Sequence, residues 1–286
     1  MAYRIVTDSC CDLPEQMYEE LNLAVVPLAV NYMGECINAY TEDWLKEMFD
    51  GLRAGETATT AAANPQDWQD VIEPILQGGE DVLVLAFSSG LSTTYQSAVI
   101  AANELMETYP ERKVLVVDTL CASRGQGLFA YYACKKRDAG LSLEDLYTWC
   151  EARKQNLCHW VTVDDLMYLK RGGRISAATA VMGTMLQIKP IIHMNEEGKL
   201  INVGKARGRK GSIETIAKKM GELGLPGENE TVFICHGDCI EDARYLEKLV
   251  KEQYGVKHVE IYYVGAVIGS HSGPGTLALF FLGEHR

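Results

Sequence analysis

The sequence predicts a two-domain α/β protein, with an N-terminal domain over residues 1–157 built on a parallel, Rossmann-like sheet and a C-terminal mixed α/β domain over 158–286. Three observations predict it. Apolar runs of strand length alternate with helix-length segments through the first half, the pattern of a parallel sheet covered by helices. A length of 286 residues is long for one core and suits two. After Cys158 the alternation loosens and a hairpin pattern enters, so a second, mixed domain begins near 157.

Tyr3–Thr7 reads as a short strand, Leu13–Glu20 as a helix and Leu23–Leu28 as a strand. Trp44–Ala54 and Pro65–Leu76 read as helices, Pro65 occupying the first-turn position that proline tolerates best. Val82–Phe87 is an unbroken apolar run, as in a strand buried on both faces. Helix 94–107, strand Val114–Val117 and helix Gly125–Lys136 continue the alternation, and Ser142 with Asp145 forms a capping-box-like start for helix Leu143–Gln155. In the second half KPIIHM at 189–194 and KLINVGKA at 199–206 flank a turn at Asn195–Gly198. Helix Ser212–Leu223, strand Thr231–Cys235, helix Ile240–Glu252 and strand Val259–Val264 follow, then the loop GAVIGSHSGPGT at 265–276. No repeat or Pro/Ser-rich linker separates the halves, so they are expected to pack together.

Net charge is −12, with 27 Lys and Arg against 39 Asp and Glu. That disfavours nucleic-acid binding and adhesion to anionic membrane as whole-protein functions, leaving room only for a local basic patch. No apolar run reaches the roughly 18 residues of a spanning helix, and the opening MAYRIVTDSCCDLP has neither a basic leader nor a long apolar segment. A soluble cytoplasmic protein is expected. Nine cysteines is an odd count, and Cys121, Cys134 and Cys150 lie among helix or strand formers, so they read as reduced thiols.

Chemistry concentrates where Asp81–Ala98 joins a buried strand to a helix through Ser88, Ser89, Ser92, Thr93 and Thr94. Unpaired N–H groups at a helix start, beside hydroxyls, suit a phosphate or a carboxylate. Three similar turns follow apolar runs at 6–14, 117–127 and 268–276, and loops leaving the carboxyl ends of parallel strands converge on one side. His271 lies among serines and glycines, a donor to an anion or a carrier of a proton. Arg174 stands just past a helix stop at Gly172–Gly173, where a guanidinium either matches a carboxylate or phosphate or, as a surface residue, answers the acidic pair Asp164–Asp165. GKARGRKGS at 204–212, with Arg207 at its centre, is a candidate docking patch for an acidic or phosphorylated partner.

Other chemistries fit less well. GQGLFA at 125–130 starts too far after its strand to be a dinucleotide fingerprint, and GKARGRKGS lacks P-loop spacing, so no NAD or ATP is expected. No G-x-S-x-G elbow is present. An acyl-ester hydrolase with Ser92 as nucleophile, His271 as base and Asp8 or Asp118 as the acid remains the alternative reading. Cys235, His236 and Cys239 cluster at a strand end without a second ligand pair, so no metal is expected.

Six motifs resemble, in order and spacing, those of the DegV family of bacterial fatty-acid-binding proteins, which includes the fatty acid kinase binding subunits. They are TDSCCDLP at 7–14, SSGLSTTYQSA at 88–98, VVDTLCASRGQG at 116–127, DLMYLKRGGRIS at 165–176, MLQIKPII at 185–192 and GSHSGPGT at 269–276. The resemblance implies a long-chain fatty acid bound between or within the two domains, with no other cofactor. It also implies a carrier without catalytic groups, which presents the acid to a separate fatty acid kinase for acyl-phosphate formation in phospholipid metabolism, with transient membrane contact. By resemblance the carboxylate is held by Thr60 and Ser92, Ser89 being the rival for the second position, with His271, Arg174 and Arg207 near the head group or the docking face. TAAANP at 60–65 departs from the family's T-S-x-P-x-P at Ala61 and Ala63, and Thr93 replaces the usual glycine, adding a hydroxyl that partly restores the lost donor.

Overall fold

The computed structural model describes residues 2–176 and 187–286. Met185 and Leu186 of the MLQIKPII motif lie outside the described residues. In the first half the strands are β1 (Tyr3–Asp8), β2 (Leu23–Val26), β3 (Val30–Tyr32), β4 (Glu35–Ile37), β5 (Ala58–Thr60), β6 (Asp81–Ala86) and β7 (Val114–Asp118). They form a parallel sheet in the order β2-β1-β6-β7 and a small antiparallel sheet in the order β4-β3-β5. Val82–Ala86 are completely buried, as their unbroken apolar run predicts. Helices Pro65–Gln77 and Thr94–Thr108 pack on each other and on this sheet; Leu143–Arg153 also packs on it, while Arg124–Asp138 packs on Leu143–Arg153 and on the sheet of the second half. Chain order reverses between β1 and β6, the switch point beside which open parallel sheets bind ligands.

Local caps follow the sequence. Asn64 and Asp67 form a reciprocal capping box around Pro65, and Ser142 Oγ accepts from Asp145 N at 3.1 Å. The small sheet is a departure from the sequence reading, because three-residue strands are too short to show alternation. The strand expected over 23–28 accordingly ends at Val26.

The second half is one six-stranded mixed sheet in the order β10-β9-β8-β13-β11-β12. Its strands are β8 (Leu157–Thr162), β9 (Ile188–Met194), β10 (Leu200–Arg207), β11 (Thr231–His236), β12 (His258–Tyr263) and β13 (Leu277–Leu282). The β9–β10 hairpin turns where expected, Asn195 Oδ1 accepting from Glu197 N at 3.1 Å and Lys199 N at 2.9 Å. Helices Gly208–Leu223 and Ile240–Tyr254 cover one face over a core that includes Ile216, Ile234 and Leu246. The other face joins the main core, where Val6, Phe87 and Phe129 share one apolar cluster with Met194, Phe233 and Phe280.

The segment 265–276 differs from the sequence reading, and no element was expected for the residues after it. The expected loop at 265–276 opens as the helix Ala266–Ser272, and LALFFL then runs antiparallel between β8 and β11 as β13. Glycines lower the helix propensity of this segment. Packing requires at least one of them, since a Cβ on Gly269 would lie 2.8 Å from Phe49 Cζ. No helix among the described residues is long and apolar enough to cross a membrane. All nine cysteines are free thiols.

Candidate ligand-binding site

A cavity of about 470 Å³ lies between the carboxyl ends of β1, β6 and β7 and the inner face of the six-stranded sheet. Cys10, Phe87 and Ala122 line it from the loops after the parallel strands, while Val161, Met194 and Phe280 line it from the opposite sheet. The turns at 6–14, 88–94, 117–127 and 268–276 therefore do converge, each giving wall residues to one cavity. Thr60, Ser92, Thr93, Arg174 and His271 all reach that wall, as does Ser89. Arg207 does not; it is exposed at the end of β10, paired opposite Ile188.

Thr60 ends β5, and its Oγ1 lies 2.8 Å from His271 Nε2 in the last turn of helix Ala266–Ser272. Burial pulls the His271 pKa down to about 4, the Arg174 guanidinium acting in the same direction, so the imidazole is neutral at neutral pH. Helix Met167–Arg171 stops at Gly172–Gly173, and Arg174 Nη1 donates to the Gly172 carbonyl. Asp164, the acidic residue that a surface arginine would answer, pairs instead with Lys189 at 2.6 Å and Arg209 at 3.8 Å. Burial also lowers the Arg174 pKa.

Ser92 rather than Thr93 caps the helix from Thr94: its Oγ accepts from Thr94 N at 3.2 Å and lies 2.9 Å from Thr94 Oγ1. Thr93 makes no capping bond, and its side chain is exposed. Ser89 N donates to Asp118 Oδ1 at 3.1 Å, and Ser88 Oγ donates to Gly198 O at 2.8 Å, which ties this loop to the β9–β10 turn.

The hydrolase constellation is not assembled. Asp8 accepts from Cys10 N at 3.0 Å and Phe87 N at 2.8 Å, Asp118 accepts from Ser89 N, and His271 is bonded to Thr60 rather than to Ser92 or a carboxylate. Near Cys235, the Ser123 hydroxyl lies 3.5 Å from the thiol, and Cys239 N donates to His236 Nδ1 at 3.3 Å. Among the described residues no group of three His, Cys, Asp or Glu is arranged to hold a metal.

Sequence reasoning missed three buried polar side chains at the cavity. Ser123 lies in the turn at 117–127, with positive φ of 53°, and its Oγ donates to Asp12 Oδ2 at 2.5 Å. Burial pushes the Asp12 pKa up to about 7. His159 Nε2 accepts from Ala122 N at 3.2 Å, and its Nδ1 lies 3.1 Å from Leu157 O. Ser272 is 5% exposed and lines the cavity beside His271. Only serine-rich composition hinted at the first and last, and nothing marked His159, since β8 itself was not evident in the sequence.

The DegV family model, described as an uncharacterised protein of that family, matches residues 2–284. A DegV domain-containing protein of Clostridium perfringens is 41% identical over 291 residues, spanning 99% of this chain and 98% of its own. Among solved structures, a DegV family protein from Thermus thermophilus, described for its fatty acid binding, superposes with a TM-score of 0.88 at 33% identity, covering 99% of this chain and 100% of its own. A DegV lipid-binding protein from Thermotoga maritima superposes with a TM-score of 0.87 at 29% identity and covers 100% of both chains. With motifs, fold and family model in agreement over nearly its whole length, the chain belongs to the DegV family.

Proposed function

We propose that the protein binds a long-chain fatty acid in this cavity, holds its carboxylate with neutral donors, and presents it as a carrier to a separate kinase in the cytoplasm. The carrying observation is the cavity of about 470 Å³, whose apolar walls meet the Thr60–His271 pair. That volume falls within the roughly 300–1,000 Å³ of small-molecule pockets. The fatty-acid and lipid binding described for the Thermus and Thermotoga relatives supports the reading.

The physics is consistent with such a ligand. Burial of an acyl chain of about 16 carbons, at roughly 0.8 kcal/mol per methylene, gains on the order of 10 kcal/mol before the costs of binding. Thr60, Ser92 and neutral His271 hydrogen-bond a carboxylate without fixing a buried ion pair, with Thr93 a further hydroxyl at the rim. Arg174 adds positive charge beside them. The basic run around exposed Arg207, in a chain of net charge −12, suits a docking face for an acidic partner or brief contact with an anionic membrane during loading.

Native mass spectrometry of the protein incubated with palmitic and oleic acids tests the reading. One bound acid per chain is expected, and no adduct with any long-chain acid would refute it. For the carrier step, a fatty acid kinase with ATP is expected to form acyl phosphate only when the loaded protein is present, and less with Arg207→Glu.

A further inference from the structure

Helix Ala266–Ser272 turns Val267, Ile268, His271 and Ser272 toward the cavity, while Gly269 sits against Phe49. His271 is engaged with Thr60. Ser272 is 5% exposed, and its Oγ has no hydrogen-bond partner. Two residues earlier, Ser270 Oγ takes the ordinary helical route and donates to Ala266 O at 2.7 Å. Ser272 does not make the equivalent bond to its own helix.

The other buried polar side chains that line the cavity, Ser123, His159 and Thr276, are committed. Ser123 donates to Asp12 at 2.5 Å, Thr276 Oγ1 donates to Gly273 O at 2.7 Å, and both ring nitrogens of His159 have backbone partners. A buried hydroxyl left without a partner is costly, and native structures rarely keep one without reason. An alkyl chain passing Ser272 offers no relief, whereas a hydroxyl on that chain can either donate to Ser272 Oγ or accept from it.

We infer that the cavity is built for an acyl chain bearing a hydroxyl close to its carboxyl end, and that Ser272 recognises that hydroxyl. The inference rests on the fatty-acid reading above. Position along the chain follows from the helix: Ser272 is the next residue after His271, about 1.5 Å further along the axis and turned about 100° from it. With the carboxylate at His271 and Thr60, Ser272 faces the first few carbons and not the ω end.

The test is a titration of the full chain, wild type and variants, with palmitic acid, β-hydroxypalmitic acid and ω-hydroxypalmitic acid. Wild type is expected to favour the β-hydroxy acid over palmitic acid by roughly 5- to 20-fold, with no such gain for the ω-hydroxy acid. Ser272→Ala is expected to bring the β-hydroxy to palmitic affinity ratio to about one, and Ser272→Thr, which restores a hydroxyl, to keep it above one. A wild-type ratio of one or less, as when a water satisfies Ser272, overturns the inference. So does a preference that survives in Ser272→Ala, or an equal preference for the ω-hydroxy acid. If palmitic acid itself does not bind, the fatty-acid reading fails as well; palmitic binding without a β-hydroxy preference overturns this inference alone.

Discussion

Thr60 and His271, 211 residues apart in the chain, share a 2.8 Å hydrogen bond across the wall of the cavity. One comes from the small antiparallel sheet and the other from the helix that precedes β13, so neither half of the chain builds this polar contact alone.

Thr60→Val keeps the side-chain shape and removes the hydroxyl. Affinity for palmitic acid is expected to fall about tenfold, in line with loss of one hydrogen bond to a charged group. Competition with a fluorescent fatty acid measures it, and unchanged affinity would exclude Thr60 as a carboxylate ligand.

Ser92 has two duties, since its Oγ accepts from Thr94 N and also faces the cavity. Ser92→Ala is expected to cost about 1 kcal/mol of stability through the lost cap and to weaken fatty-acid binding as well. Ser89→Ala affects no cap, and on the proposed reading the variant with the larger loss of binding marks the serine at the carboxylate; unchanged affinity in both would exclude a serine there.

His271 gives stability a pH dependence of defined sign. Its pKa is about 4 in the folded protein, lowered by burial and then by Arg174, against about 6.5 when unfolded. Between those values the unfolded chain binds the extra proton, so this contribution is intact above pH 6.5 and is lost as pH falls toward 4. His193 and His236, also lowered to about 4 by burial, add in the same sense. Urea unfolding of His271→Asn at pH 7 and 4.5 should show about 2 kcal/mol less acid-induced loss than wild type; an equal loss would mean His271 is not held neutral.

Asp12 works in the opposite direction. Burial raises it to about 7 from the ordinary aspartate value of 3.8, despite the Ser123 hydroxyl that opposes the shift. The folded chain thus keeps a proton that the unfolded chain sheds, and this contribution is present at acid pH and lost as pH rises through 7. Asp12→Asn keeps an acceptor for Ser123, and its stability relative to wild type is expected to be higher at pH 8 than at pH 5 by on the order of 2 kcal/mol. Parallel pH profiles would contradict this.

Gly90 lies where a Cβ would come within 2.4 Å of Glu197 O and 2.6 Å of Gly198 O. Both are backbone atoms of the β9–β10 turn, so Gly90→Ala must displace that turn from the loop carrying Ser92. A loss of about 2 kcal/mol is expected, read as a fall in thermal midpoint; an unchanged midpoint would mean the turn moves freely.

The alternating half was legible because each parallel strand carries its own burial signal, as Val82–Ala86 do, and its helices carry their own caps at Asn64 and Ser142. β13 was hidden because its partners, β8 and β11, are distant in sequence, and a short apolar run does not reveal its neighbours. Helix Ala266–Ser272 was hidden because Gly265 and Gly269 argue locally for a loop, whereas Gly269 sits where Phe49 and Met48 pack against the helix. Resemblance brought Thr60 and Ser92 forward as carboxylate candidates, and the Ser- and Gly-rich run at 268–276 brought His271. Ser123, His159 and Ser272 entered only with coordinates, since pairing and burial decide their roles and single residues do not display either.

β13 also has a temporal meaning. Until residues 277–282 arrive, β8 with β9 and β10 and β11 with β12 are separate half-sheets facing a gap. Ala278 and Phe280 of β13 form part of the cavity wall. During synthesis, therefore, a nascent chain has no closed compartment until this strand is in place, and on the proposed reading a fatty acid is bound only after that.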